Sequence, residues 1–303
     1  MKQVQWLLRS GLKCALALAL VAPLAGWSAE ERERGVGDVV YVPTPQVVVE
    51  EMLAMAKTGP KDFIIDLGSG DGRMVITAAK KFGARGFGVD LSDELLAEAR
   101  ANATAAGVAD RAEFRKQNLF ETDLKQATII STYLLPEMNE KLRPKILALP
   151  PGTRVVAHDY HFGDWPPDEQ KTIPVPEKIV GTPGISYTYM WVVPAKVGGR
   201  WTSEFKHGAV ATTCEFEFTQ TYQVISGSAK IGAQTVKLPD SRIKGDQIEF
   251  AVLVKAGDAA TRHEFHGTIK GDTIDGTVSI GSGSTAKQLP WSAKLVAAAA
   301  GAK

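Results

Sequence analysis

Between residues 63 and 193 the chain alternates between two periods. Short apolar runs at Phe63-Ile64-Ile65, Arg85 to Asp90 and Ala127 to Tyr133 read as buried parallel strands. Between them apolar residues recur at helical spacing: Val75, Ile76, Ala79 and Phe82 in one stretch, and Leu95, Leu96 and Ala99 after Ser92 in the next. Ala112 to Gln117 is a weaker strand. Pro136 opens a helix running to about Leu149, and Thr153 to Ala157 is a further strand after the Pro150-Pro151-Gly152 break. Strands alternating with helices predict an α/β fold, a Rossmann-like doubly wound and mostly parallel sheet. Ile173 to Val180 and Ile185 to Val193 are expected to add an antiparallel edge, with Tyr187, Tyr189 and Trp191 sharing one face of the second strand. Upstream, Thr44 is placed to cap a helix that starts at Pro45 and ends before Gly59-Pro60.

After a linker at Pro194 to Gly199 the period becomes two. Cys214 to Phe218 alternates, and Ile243 to Ile248 and Ile269 to Ile274 repeat one hairpin design with Gly-Asp at the turn. This predicts a small antiparallel all-β domain over 196–303, curled or barrel-like, behind an α/β domain over 29–195. His263 and His266 stand an odd number of residues apart, so they face opposite sides of a strand and form no paired metal site.

Candidate chemistry concentrates in Asp66-Leu67-Gly68-Ser69-Gly70-Asp71-Gly72-Arg73, a strand-to-helix turn. Glycine there accepts positive φ and lets the backbone approach a ligand, while the helix start offers unpaired N–H groups. The dinucleotide fingerprint G-x-G-x-x-G fails because Arg73 occupies its third glycine position, and no Gly-Lys-Ser/Thr follows to make a P-loop. The pattern is D-x-G-x-G-x-G. Asp90 follows Gly70 by 20 residues at the end of the second strand, where a carboxylate can accept from a ribose diol.

These residues resemble motif I and the ribose-binding acid of the class I S-adenosylmethionine (SAM)-dependent methyltransferases. Together with Tyr41-Val42-Pro43-Thr44, Leu134-Leu135-Pro136-Glu137 and the run from His158 to Trp165, they resemble bacterial relatives of the FAM173 protein-lysine methyltransferases over residues 36–195. The resemblance implies SAM as methyl donor and suggests a protein lysine as acceptor. It implies donor contacts from Tyr41, Thr44, Asp66, Gly68, Ser69, Gly70, Gly72, Arg73, Asp90, Leu91, Asn118 and Leu119. Asn118 stands where the family commonly has an acid, and its side-chain oxygen can still accept from an adenine amine. Tyr133, Glu137, His158 and Asp159, at or after strand ends, are the groups expected to orient the acceptor. All donor contacts precede the linker, so residues 29–195 are expected to bind SAM alone. His158, Asp159, His161 and Asp164 suggest metal ligands by type, but two histidines at a strand end more often cap or face substrate, and no metal is expected.

The formal net charge of +1 over 303 residues offers no broad electrostatic surface for nucleic acid. Lys2, Arg9 and Lys13 precede an apolar run from Cys14 to Ala25, shorter than a membrane span, with small residues after it. Residues 1–28 therefore predict a signal peptide and an exported, periplasmic protein, or an inner-membrane anchor that keeps the chain near the membrane. If they are removed, Cys214 has no partner for a disulfide. Two rivals stand beside methyl transfer. One is an exported SAM- or nucleoside-binding protein without catalysis, whose β domain contacts a partner; the other is a nicotinamide oxidoreductase, opposed by Arg73.

Overall fold

The computed structural model describes residues 41–207, 210–256 and 259–299. The expected signal or anchor segment lies outside the described residues, and among those described no helix is long and apolar enough to cross a membrane. The chain begins with α1 (Gln46–Met55), then β1 (Phe63–Leu67), α2 (Arg73–Phe82), β2 (Arg85–Asp90), α3 (Asp93–Ala105), β3 (Ala112–Lys116), β4 (Ile129–Thr132), α4 (Pro136–Leu147), β5 (Arg154–His158), β6 (Glu169–Pro174) and β7 (Ile185–Val192). The seven strands form one sheet in the order β3-β2-β1-β4-β5-β7-β6. β1 to β5 are parallel, and β7 runs antiparallel to both β5 and β6. The chain builds outward from β1 to β3, then returns to place β4 on β1's other side. That reversal opens a crevice at the carboxyl ends of β1 and β4, the usual ligand position in such sheets.

Two local expectations are corrected. The strand expected at Ile173 to Val180 is β6, which ends at Pro174. Residues 175–184 instead make turns, with Lys178 N donating to Val175 O and Gly184 N to Lys178 O. Prolines at 174, 176 and 183 deny the ladder its donors there. Thr44 does not cap α1; Pro45 occupies the cap position, with no side-chain bond. The Thr44 hydroxyl turns to His158 Nδ1, 3.1 Å away, so the segment before α1 is pinned to the end of β5.

Beyond the sheet lies a larger structure than the expected small domain: a closed barrel of eight antiparallel strands. They are β8 (Gly199–His207), β9 (Val210–Thr221), β10 (Val224–Ile231), β11 (Gln234–Lys244), β12 (Gln247–Ala256), β13 (Ala259–Lys270), β14 (Thr273–Ile280) and β15 (Lys287–Ala298). Both Gly-Asp hairpins form, with positive φ at Gly245 and Gly271, the first central position, as a type II′ turn requires. Alternation sends Trp201, Phe216, Phe250, Phe265 and Trp291 inward, where their rings pack mostly edge to face. Glu215, Glu217 and Glu249 face out, opposite to the polarity of a lipid-facing barrel. Cys214 is buried among the rings, and that burial pushes its thiol up to about 12.

The barrel is joined to the sheet by more than the linker. The turn residues Tyr222 and Gln223 enter the aromatic cluster of Phe162, Trp165 and Trp191 under the sheet. Trp165 Nε1 donates to Gln223 Oε1 at 2.9 Å, Gln223 Nε2 donates to Pro166 O at 2.6 Å, and the Tyr222 hydroxyl donates to Asp164 at 2.8 Å. Gln223 is fully buried. The period change therefore marks a change of architecture within one continuous packing.

Candidate functional site

β1 delivers Asp66 and Leu67 to the crevice, and the turn that follows is shaped by three positive-φ glycines, Gly68, Gly70 and Gly72. Gly68 N and Ser69 N both donate to Val89 O, which ties the turn to β2. Gly70 N donates to one oxygen of Asp90 at 3.0 Å and Ser92 N to the other at 3.0 Å. The Asp90 carboxylate is thus fixed by two amides, with lone pairs left to accept from a ligand.

Arg73 also ties the turn to the segment before α1. Its guanidinium grips the Asp71 carboxylate through Nε and Nη2 and donates from Nη1 to Thr44 O at 2.8 Å. With the Thr44–His158 bond, this folds Tyr41 to Thr44 over the turn. The ring of Tyr41 lies where a Cβ on Gly70 would point, 2.3 Å from Tyr41 Cε2.

These elements enclose a cavity. Of the expected donor residues, Tyr41, Thr44, Asp66, Gly68, Ser69, Arg73, Asp90, Leu91, Asn118 and Leu119 line it. Gly70 and Gly72 do not; they shape the turn from behind, Gly72 against Phe114 and Ala99. Asn118 Oδ1 accepts from Phe120 N at 3.0 Å, so its first bond is spent locally. Met52, Met74 and Met138, which sequence reasoning missed, complete the wall together with Thr132 at the end of β4. The methionines gave only a helical-core signal. The hydroxyls of Ser69 and Thr132 are buried on this wall without a hydrogen-bond partner among the described residues, as expected where a polar ligand satisfies them.

The electrostatics favour a cationic ligand. Asp66 is buried and accepts from the Ser131 hydroxyl at 2.7 Å. Burial, helped by the neighbouring Asp90 and Asp71 carboxylates and opposed by Ser131, raises it to about 7. A raised carboxyl makes the folded state hold a proton that the unfolded state has lost. Asp66 thus contributes stability below its ordinary pKa of 3.8, and this contribution is lost as pH rises towards 7. A cation in the cavity favours the ionised form. Its binding is therefore expected to release a proton between about pH 5 and 7 and to weaken as pH falls, up to about tenfold per unit. Calorimetry in two buffers of different ionisation enthalpy checks this, with Asp66→Asn as control; equal proton release by both proteins refutes the assignment.

The four acceptor-orienting candidates separate. Tyr133 lines the cavity, and its hydroxyl is 3.5 Å from Asp159 Oδ2. His158 is buried with both nitrogens engaged, by Thr44 and by the Ser186 hydroxyl at 2.9 Å, and burial lowers it to about 4. Glu137 is exposed on the first turn of α4 and lines neither this cavity nor the cleft beside it. Asp159, at φ +59, accepts from Tyr187 N and from the Nζ of Lys178, a buried lysine that sequence reasoning missed because it falls in the stretch taken for a strand. His158, Asp159, His161 and Asp164 do not converge: Asp164 turns away to Arg143 and Tyr222.

The model of the family "ANTKMT methyltransferase domain" matches residues 66–169, ending before the barrel. A protein-lysine N-methyltransferase of Saccharolobus islandicus is 47% identical over 133 residues, covering 43% of this chain and 83% of that protein. The adenine nucleotide translocase lysine N-methyltransferase of Mus musculus is 34% identical over 131 residues, covering 43% of this chain and 56% of that one. The match thus spans little more than half the length of the mouse relative. A solved RNA methyltransferase of Salinibacter ruber in complex with S-adenosyl-L-homocysteine is 45% identical, covering 52% of this chain and 96% of that chain, with a TM-score of 0.46. Motif, cavity and relatives converge: the chain belongs to the class I SAM-dependent methyltransferases, in the family that contains these protein-lysine N-methyltransferases.

Proposed function

We propose that the acceptor of this SAM-dependent methyltransferase is the ε-amine of a protein lysine. The observation that carries the reading is the 47% identity to the Saccharolobus lysine N-methyltransferase across 83% of its length. SAM, when bound, supplies an electrophilic sulfonium methyl that an amine attacks in line, the C–S electron pair leaving with sulfur. Asp66 and Asp90 are the groups of this chain to hold the donor's cationic and diol parts, and Leu119 and Leu91 offer apolar faces. Tyr133 stands between the donor cavity and Asp159, where it can align an incoming amine.

The acceptor amine must be unprotonated when it attacks, and neither candidate base beside the cavity is free to help. His158 is neutral at pH 7 but both its nitrogens are occupied, and Asp159 is paired with Lys178. Desolvation at the mouth of the cavity is what favours the neutral amine, the proton leaving to water before attack. The test is incubation of the full chain with methyl-tritiated SAM and whole-cell protein extract, followed by acid hydrolysis and amino-acid analysis. Label is expected in methylated lysine; label confined to another residue type, or to nucleic acid, removes the lysine reading.

We propose also that residues 1–28 direct export, on the basic and apolar pattern of that segment. A fusion of residues 1–35 to a reporter active only outside the cytoplasm is expected to be active, and a silent fusion refutes it. Export also requires SAM outside the compartment where it is made, so a positive result makes donor supply the next question.

A further inference from the structure

A second cleft lies on the other side of Tyr133 from the donor cavity. Its walls include Tyr160, His161, Tyr187 and Tyr189, with Asp159 at its base and Thr182 on its exposed rim. Tyr187 and Tyr189 alternate on β7 and so share one face, and both rings remain partly exposed. The Tyr160 ring stacks near Tyr133, with centroids 6.3 Å apart, and His161 meets Tyr189 edge to face at 6.0 Å. Tyr133 links the two: it lines the donor cavity, and its hydroxyl lies 3.5 Å from Oδ2 of Asp159, which lines the cleft.

We propose that this cleft is the acceptor channel, and that it receives a lysine side chain through the faces of Tyr160, Tyr187 and Tyr189. The inference rests on the lysine reading above and names the surface that serves it. Aromatic faces attract an ammonium and also bury its methylene stem.

The state of Asp159 explains why rings, not a carboxylate, are suited to the task. Lys178 Nζ is bound to Asp159 Oδ2 and to Ile185 O, and Tyr187 N donates to Asp159 Oδ1 at 3.0 Å. Both partners of the ion pair are buried, at 1% and 6% exposure. A free carboxylate here would stabilise an incoming ammonium and hold the proton that must leave before attack. Lys178 quenches that carboxylate from behind. The channel then binds a cation weakly enough to let it become an amine.

The experiment uses the full chain in the tritium assay above, at limiting extract, with S-adenosylhomocysteine affinity measured by calorimetry on every variant. Tyr189→Leu is expected to lower methyl-lysine formation on the order of tenfold or more, with S-adenosylhomocysteine affinity within about twofold of wild type. Tyr189→Phe keeps the aromatic face and is expected to retain activity within about threefold. Thr182→Trp, on the exposed rim, is expected to obstruct entry without touching the core, so it answers the question even if Tyr189→Leu does not fold. Wild-type methyl-lysine formation in Thr182→Trp, or in a folded Tyr189→Leu chain, overturns the channel while leaving the lysine reading in place. So does a Tyr189→Phe loss as large as that of Tyr189→Leu. Label on a residue other than lysine in the wild type overturns the lysine reading, and the channel with it.

Discussion

Gly70→Val is expected to lower the affinity for SAM on the order of 100-fold, about 2.7 kcal/mol, in a chain that still folds. Gly70 holds φ +51, where a β-branched residue is strained by about 1–3 kcal/mol. The added Cβ would also meet Tyr41 Cε2 at 2.3 Å. Tyr41 must then move, and with it the segment that Arg73 and His158 hold across the turn. Rotating the peptide to relieve the strain takes Gly70 N away from Asp90, which loses one of its two fixing amides. The damage reaches the donor through a displaced lid and a loosened carboxylate. Calorimetry with S-adenosylhomocysteine, alongside a thermal melt, measures both quantities. Unchanged affinity in a folded Gly70→Val chain would remove this cavity as the donor site.

Removing the barrel is expected to have the larger effect on stability. Without residues 196–303, Trp165 Nε1 and Pro166 O lose Gln223, and the Trp165 ring loses its stack on Tyr222 at 6.1 Å. Exchanging these two hydrogen bonds for bonds to water costs about 0.5–1.5 kcal/mol each, and exposing a large ring adds about 1.5–3 kcal/mol. For a domain of this size, where 1 kcal/mol moves Tm by about 2–4 °C, the fragment is expected to melt about 10 °C or more below the full chain. The fragment's S-adenosylhomocysteine affinity should fall in step with the unfolded fraction. A fragment that melts within a few degrees of the full chain, and binds equally well, would mean that the aromatic junction contributes little.

The legible parts of this molecule were those whose physics is local. The apolar runs before Asp66 and before Asp90, with glycines between strand and helix, identify the turn and its sheet from neighbouring residues alone. The Gly-Asp hairpins were legible for the same reason, since a two-residue turn selects its own residues. Closure of the barrel was legible only as far as a curled or barrel-like domain, because no local pattern records that the last strand pairs with the first. Thr44 shows the limit at one residue: capping chemistry and a bond to a histidine 114 residues away use the same hydroxyl, and the distant partner won. Lys178 was hidden for a related reason. Its stretch carries enough apolar residues to resemble a strand, and its Asp159 partner arrives from another element. Arg73, read as a departure from a glycine pattern, is the residue that fastens the Tyr41 segment in place.

Closure also imposes an order of assembly. Ser203 of β8 pairs with Ala293 of β15, 90 residues later (293 − 203). During synthesis β8 must therefore wait for nearly the whole remaining chain before it gains its second neighbour. Contacts so distant in sequence incur their loop-closure entropy before they are rewarded, so they form late. The parallel sheet is joined by shorter crossovers, so its elements can meet while the barrel is still an open ribbon with two bare edges. The catalytic half is thus the first part of the chain able to take shape.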